Sequence, residues 1–211
     1  MNTTITYLFD PLCGWCYGAS PMIQKLAQQS NLTLELAPTG LFAGINGRAL
    51  NAEFANYAWS NDLRIGKMTG QQFSEQYRSQ VLGQSGGMLD SEAATLALTA
   101  VSLTEPQREF ETLRQFQEAR YVSGQDITSL IILEKLLRDT GLTAAADLLT
   151  SGSAELSQRH DVRLQSAQRL MQTFGAAGAP ALIVTKGDSR RLLRGDALFA
   201  SFENLMASIE Q

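Results

Sequence analysis

The sequence is poor in the residues on which several classes of function depend. Its 211 residues include two cysteines and one histidine, and only 18% of them are charged. A formal net charge of -4 offers no basic surface to phosphate groups, so we do not expect nucleic acid as a partner. No run approaches the roughly 18 apolar residues of a membrane-spanning helix, and residues 1–6 form no cationic leader. We therefore expect no membrane partner and a cytoplasmic location.

The two cysteines lie together in the motif Cys13-Gly14-Trp15-Cys16. A structural disulfide framework uses several dispersed pairs, so this pattern disfavours one. A structural zinc site takes four ligands, and the sequence has only His160 to add to the two thiols, so we predict no metal. His160 falls on an apolar helical stripe, which is a typical position for a core residue.

Two apolar segments near the start of the chain predict strands. Residues 5–9 are apolar, aromatic and β-branched, and residues 32–38 alternate apolar with mixed residues. The segment between them has helical periodicity and begins at Cys13. Two parallel strands joined by a helix form a right-handed crossover, so the first forty residues predict a βαβ unit.

The rest of the chain changes character twice. From about residue 41, strand-like runs no longer occur, and residues typical of helix starts and helix ends become frequent. Thr69 is among the predicted helix starts. Mixed structure then returns with a long helix capped by Ser153, a strand opened by Pro180, a hairpin partner and a last helix capped by Asp196.

This order of elements predicts a single α/β fold with an insertion. We assign residues 1–40 and 153–211 to the α/β domain and residues 41–152 to an inserted all-α helical domain. No repeat or low-complexity tract interrupts the insertion, and its helices fit a packing module that covers another surface.

The spacing of Cys13 and Cys16 favours redox chemistry. Residues three apart share one face of a helix, so the two sulfurs are close enough to bond. At a helix N-terminus, free N–H groups and the positive end of the helix dipole favour the thiolate of Cys13, whereas Cys16 should be more buried. This predicts thiol–disulfide exchange in which Cys13 attacks a substrate disulfide and Cys16 resolves the mixed disulfide.

A family resemblance rests on the block Phe9-Asp10-Pro11-Leu12-Cys13-Gly14-Trp15-Cys16-Tyr17-Gly18 and on Gly178-Ala179-Pro180-Ala181 downstream. Together they resemble the DsbA-like branch of the thioredoxin superfamily, and within it the FrnE-type group of predicted protein-disulfide isomerases. The resemblance covers essentially the whole chain and implies a thioredoxin-like fold around the helical insertion. It also implies that Pro180 is a cis-proline facing the cysteines and that the backbone of Ala179 pairs with bound substrate.

The same resemblance guides what we expect of the reaction. The dipeptide Gly14-Trp15 between the cysteines lacks the histidine of the strongly oxidising family members. We therefore expect a protein-disulfide oxidoreductase that acts as a reductase or an isomerase. No cofactor is predicted beyond the redox-active Cys13–Cys16 pair, with glutathione as a candidate co-substrate. The expected partners are a disulfide-containing protein or a small thiol, with glutathione or a thioredoxin system as electron donor.

Two residues beside the cysteines are further candidates for the site. Asp10 could transfer protons during resolution, or it could serve only as the turn residue of the Asp-Pro pair. Trp15 could contact substrate or could pack against the protein.

Two other functions stay open at this point. Kappa-class glutathione transferases and 2-hydroxychromene-2-carboxylate isomerases share a thioredoxin core with a helical insertion, but they use a serine where Cys13 stands. The intact CxxC motif argues against such a glutathione-dependent isomerase or transferase. The third possibility is a non-catalytic binding module whose helical insertion is the working surface, and activity that survives loss of both thiols would indicate it.

Overall fold

A mixed four-stranded sheet, in the order β2-β1-β5-β6, forms the middle layer of the computed structural model. The structure describes residues 3–84 and 86–211, so residues 1 and 2 of the N-terminal segment considered above lie outside it. In chain order the strands are β1 (Thr3–Phe9), β2 (Leu32–Pro38), β3 (Arg48–Ala49), β4 (Met88–Leu89), β5 (Ala181–Lys186) and β6 (Ser189–Leu193). Strands β3 and β4 pair separately as a short two-stranded sheet.

The helices of the insertion lie between β2 and α8 (Ala154–Phe174) in sequence, and the others belong to the α/β part of the fold. In chain order they are α1 (Gly14–Ala27), α2 (Ala52–Thr69), α3 (Glu75–Tyr77), α4 (Glu92–Thr104), α5 (Glu109–Tyr121), α6 (Leu130–Asp139), α7 (Thr143–Thr150), α8 (Ala154–Phe174) and α9 (Phe202–Glu210). Helices α2 to α7 interrupt the sheet in sequence, which confirms the α/β fold with a helical insertion. Within the described ranges, no helix is both long and apolar enough to cross a bilayer.

Strand β1 is buried on both faces, which agrees with the apolar, aromatic and β-branched residues that occupy both of them. It runs parallel to β2, with Tyr7 opposite Leu36, and antiparallel to β5, with Tyr7 opposite Leu182. Tyr7 and its same-face neighbours join the main core with α1 and the inserted helices. On the other face, Leu8 and Ile183 pack against α8. The carboxyl end of β1 therefore leads straight into the CxxC segment at the centre of the molecule.

Three local features differ from the sequence-based expectations. Thr69 ends α2 instead of starting a helix, because Gly70 adopts the left-handed conformation (φ 78°) that closes a helix. The last helix begins at Phe202, where the Ser201 side chain accepts a hydrogen bond from the backbone, and Asp196 lies in a short 3-10 turn before it. The pair β3–β4 lies within the stretch expected to be wholly helical.

An aromatic cluster fixes α1 against the inserted helices. The ring of Tyr17 on α1 stacks on that of Tyr121 at the end of α5, with centroids 4.8 Å apart. Phe73 and Tyr77 contact the Tyr121 ring edge-on, at 5.1 and 5.0 Å. The Tyr121 hydroxyl also donates a hydrogen bond to the backbone oxygen of Leu12, 2.8 Å away, in the turn before Cys13. The insertion thus braces the segment that carries the cysteines.

Helix α1 also depends on the insertion for one backbone hydrogen bond. Pro21 lies inside the helix and has no N–H to donate to the carbonyl of Tyr17, four residues earlier. The side-chain amide of Gln71 instead donates to that carbonyl oxygen at 3.0 Å, and its nitrogen also lies 3.1 Å from the Ser20 hydroxyl. A side chain from outside the helix therefore replaces the bond that the proline removes.

Candidate active site

Cys13 lies at the N-cap position of α1, between the end of β1 and the first helical turn. Its backbone is extended (φ −84°, ψ 116°), and its carbonyl accepts the helical hydrogen bond from the N–H of Tyr17 at 3.0 Å. Among the described residues no side chain caps this helix end, and its first turn carries no acidic residue. The free N–H groups and the positive end of the helix dipole are therefore directed at the Cys13 thiol.

The two thiols differ in their access to solvent. Both are present as free cysteines, but Cys13 keeps 6% of its surface exposed and Cys16 keeps none. Cys13 lines a cleft of about 300 Å³, whereas Cys16 lies beneath it on the next turn of α1. Burial raises the pKa of the Cys16 thiol well above its usual value, and the neighbouring Cys13 adds to this rise. Only Cys13 is positioned to meet a substrate from outside.

Tyr7 of β1 lies beneath the cysteine pair. Its hydroxyl donates a hydrogen bond to the backbone oxygen of Cys16 at 3.3 Å. Burial raises the pKa of Tyr7 well above its usual value, so the phenol stays neutral and adds no charge below the thiols. Its contribution is to hold the first turn of α1 against the sheet.

The Ala179-Pro180 peptide bond is cis, as the family resemblance implied. The carbonyl oxygen of Ala179 lies 3.6 Å from the Cys13 sulfur, within reach of a thiol hydrogen bond. Ala179 is half-buried and lines the cleft, whereas Pro180 is buried where β5 begins. Residues 166 positions apart in the sequence are thus in direct contact.

Asp10 is fully buried, and donors occupy both of its carboxyl oxygens. One oxygen accepts the backbone N–H of Leu12 at 2.9 Å, which forms the turn expected of an Asp-Pro pair. The other accepts the backbone N–H of Phe42 at 3.1 Å and the hydroxyl of Ser91 at 2.7 Å. Burial raises the pKa of Asp10, and these hydrogen bonds oppose the rise. Asp10 therefore ties the turn before Cys13 to the insertion, and its proton-transfer role stays a prediction.

Trp15 is half-buried and borders the cleft. Its ring packs edge-on against Phe199, with centroids 5.1 Å apart, and the guanidinium of Arg64 lies 5.1 Å from the ring centre. One part of the ring is thus used in packing, and the part that borders the cleft is available to a bound molecule.

Several polar and aromatic residues of the insertion reach the site without any local sequence signal. Asp62 on α2 and Tyr77 on α3 line the cleft beside Cys13, as does Tyr121. Behind them, the buried guanidinium of Arg120 lies 5.5 and 5.8 Å from the ring centres of Tyr77 and Tyr121. None of its three nitrogens has a hydrogen-bond partner among the described residues. The cleft wall beside the thiol therefore includes this carboxyl group and these two phenols, with the positive charge of Arg120 behind them.

His160 lies apart from this site. It is buried on α8, and its Nε2 atom lies 2.9 Å from a carboxylate oxygen of Glu92, as expected of a core residue with a polar partner. Across the described residues, no group of three or more His, Cys, Asp or Glu side chains could hold a metal ion.

Comparison with known proteins agrees with the observed fold. A family model described as a DSBA-like thioredoxin domain matches residues 4–207. The solved structure of the cytosolic disulfide reductase DsbM from Pseudomonas aeruginosa is 28% identical, with a TM-score of 0.85 over 98% of this chain and 97% of that one. The structure of the same reductase with GSH has the same identity and coverage and a TM-score of 0.83.

Two further solved structures extend the comparison. A candidate protein disulfide isomerase from Nitrosomonas europaea is 27% identical, with a TM-score of 0.79 over 100% of this chain and 99% of that one. A 2-hydroxychromene-2-carboxylate isomerase is similar in fold alone, at 16% identity and a TM-score of 0.64 over 98% and 95% of the two chains. No curated protein sequence matches the chain significantly.

Proposed function

The chain belongs to the DSBA-like thioredoxin family of thiol–disulfide oxidoreductases, and on that basis we propose that it is a disulfide reductase that uses Cys13 and Cys16. Its substrates are disulfides small or mobile enough to enter the cleft, and glutathione is its electron donor. Similarity to a reductase described as cytosolic, and solved with GSH, supports both this donor and a cytoplasmic location.

The reaction begins when the Cys13 thiolate attacks one sulfur of the substrate disulfide. A bond forms between Cys13 and that sulfur, the substrate S–S bond breaks, and the other half leaves and is protonated to a thiol. The helix N-terminus at Cys13 stabilises the attacking thiolate. The Ala179 carbonyl, 3.6 Å from the Cys13 sulfur, lies where an extended substrate backbone could pair with it.

The second step releases the bound half of the substrate. Cys16 loses its proton and attacks the Cys13 sulfur, so that the Cys13–Cys16 disulfide forms and the second half leaves as a thiol. The substrate has then gained two electrons and two protons. Two glutathione molecules return the enzyme to its dithiol form and are themselves oxidised to glutathione disulfide.

The difference in access between the two sulfurs is the observation that supports this proposal most strongly. The thiol at the cleft is the one at the helix N-terminus, and the buried thiol one turn later has its pKa raised by burial. A buried, protonated Cys16 does not compete for substrate, but the mixed disulfide at Cys13 is within its reach on the same helix face.

A turnover assay tests the proposal. The purified protein, glutathione and bis(2-hydroxyethyl) disulfide are mixed, and formation of glutathione disulfide is followed against the uncatalysed rate. We expect catalysis by the wild type and a rate equal to background for Cys13→Ser. A wild-type rate no faster than background would overturn the function, and an active Cys13→Ser variant would overturn the mechanism. Circular dichroism of each variant establishes that a loss of rate is not a loss of fold.

A further inference from the structure

Asp62 is a buried acid in the cleft wall that the two-cysteine mechanism leaves unused. It belongs to α2, far from the CxxC motif in sequence, and only 4% of its surface is exposed. It lines the same cleft as Cys13. A carboxyl group is costly to bury unless it is paired, so its presence beside a reactive thiol calls for a physical reason.

The carboxyl group of Asp62 lies against the first residue of α1. A methyl group on Gly14, the neighbour of Cys13, would collide with the Oδ1 atom of Asp62. The other oxygen, Oδ2, accepts a hydrogen bond from the Tyr77 hydroxyl at 2.9 Å. Within the described part of the chain, no donor is bonded to Oδ1. One oxygen is thus held in place while the other lies over the start of the helix that carries the thiol.

Asp10, the other buried acid near Cys13, lacks such a free oxygen. Its two oxygens accept three hydrogen bonds, from Leu12, Phe42 and Ser91. A proton on Asp10 would have to share an oxygen with one of these donors. Asp62 can gain or lose a proton at Oδ1 and keep its bond to Tyr77.

The groups that face Asp62 leave it ready to exchange a proton near neutral pH. Burial raises the pKa of Asp62 to about 7, and the Tyr77 hydroxyl and the Arg120 charge partly oppose this rise. The Tyr121 phenol also faces it, and Cys13 and Arg48 line the same cleft. An acid–base group works best when its pKa is close to the working pH, because both protonation states are then populated.

Resting on the proposed function, we propose that Asp62 carries the proton in the first exchange step. The Cys13 thiolate attacks one sulfur of the substrate disulfide, and the Asp62 carboxylic acid protonates the thiolate that leaves from the other. The Cys13–sulfur bond forms, the substrate S–S bond breaks, and Asp62 ends as a carboxylate. The leaving sulfur lies about 2 Å from the sulfur under attack, so it departs within the same cleft. The insertion thus supplies a catalytic residue as well as a cover.

Two neutral disulfides with different leaving groups test this assignment in Asp62→Asn. Bis(2-hydroxyethyl) disulfide releases an alkyl thiolate that needs a proton, whereas 2,2′-dipyridyl disulfide releases a stabilised thiolate that does not. Single-turnover rates of mixed-disulfide formation at Cys13 are measured by acid quench and mass spectrometry. We expect Asp62→Asn to lower the rate with the alkyl disulfide about tenfold or more and the rate with the dipyridyl disulfide less than twofold.

The exposed Asp188→Asn, in the turn between β5 and β6, is the matched control and should leave both rates unchanged. Equal losses with the two disulfides in Asp62→Asn would indicate a structural role, and wild-type rates with both would also overturn the inference. If the wild type itself reacts with neither disulfide at Cys13, the proposed function fails instead.

The pH dependence gives a readout that a structural role would not change. Tyr77→Phe removes the hydrogen bond that holds the pKa of Asp62 down, so the pKa of Asp62 should rise. When the rate with the alkyl disulfide is measured as a function of pH, we expect a change in rate near pH 7. This change should shift to higher pH in Tyr77→Phe and disappear in Asp62→Asn. A change in rate that stays at the same pH in both variants would contradict the proposal.

Discussion

At the scale of single residues, Cys13 and Cys16 are the same chemical group in different surroundings. Cys13 lies at the N-terminal end of α1 and borders the cleft, whereas Cys16 lies in the core, where burial raises its pKa. This difference follows from their three-residue spacing at the start of a helix, so the sequence alone was sufficient to predict it. The partners of Asp62 could not be predicted in this way, because Tyr77 and Arg120 come from other helices.

Asp62 also makes the stability of the protein depend on pH. Burial raises its pKa in the folded protein to about 7, whereas the unfolded chain has an ordinary value near 4. The folded state therefore binds the proton more tightly, and this contribution to stability is lost as the pH rises from about 4 to above 7.

We therefore expect Asp62→Asn to gain stability relative to the wild type as the pH is raised from 5 to 8. Between these two pH values, the difference in free energy of unfolding between the variant and the wild type should change by on the order of 1–3 kcal/mol, because an amide does not ionise. Urea denaturation at several pH values measures it, with Asp188→Asn as the control. A difference that is constant with pH would show that Asp62 ionises as it does in the unfolded chain.

At the scale of elements, α1 is held by parts of the chain that a local reading of its sequence does not reveal. Pro21 removes one hydrogen bond from the helix, and the side chain that replaces it, Gln71, comes from the segment after α2. The expectation that a helix starts at Thr69 was wrong, because the left-handed conformation of the next residue, Gly70, ends α2 there. The hairpin of β5 and β6 after Pro180 was predicted well, since its strands and turn are adjacent in sequence.

A double-mutant cycle tests the repair of α1. Gln71→Leu should cost about 1–2 kcal/mol of stability, because it leaves the Tyr17 carbonyl without a donor. In a Pro21→Ala background the alanine N–H can supply that bond, so Gln71→Leu should cost about 1 kcal/mol less. Chemical denaturation of the four proteins gives the coupling energy, and an equal cost in both backgrounds would refute the compensation.

The packing of α1 on α2 allows a second test. A methyl group on Gly18 would meet the branched carbon Cγ2 of Ile65, which has little freedom to move. We expect Gly18→Ala to cost about 1–3 kcal/mol, measured by chemical denaturation. Gly178→Ala is the matched control, because nothing lies within 4 Å of its added carbon. If both variants are equally stable, the two helices are not packed this closely.

At the scale of the whole molecule, the cleft exists only because the insertion folds over the thioredoxin-like sheet. Tyr121 from the insertion bonds to Leu12, and Ser91 bonds to Asp10, so the turn before Cys13 is tied to the insertion at two points. The α/β fold with its helical insertion could be predicted from strand and helix patterns and from the family resemblance. The composition of the cleft wall could not, because it depends on how helices distant in sequence pack together.

The central claim is that Cys13 at the cleft reacts with a substrate disulfide and that Cys16 beneath it does not. Glutathione disulfide tests this claim directly. Cys16→Ser and Cys13→Ser are each reduced, exposed to glutathione disulfide near neutral pH and analysed by intact-mass and peptide mass spectrometry. We predict one stable glutathione adduct on Cys13 in Cys16→Ser and no adduct in folded Cys13→Ser. An adduct on Cys16 that forms at a comparable rate, or a Cys16→Ser variant that forms none, would contradict it.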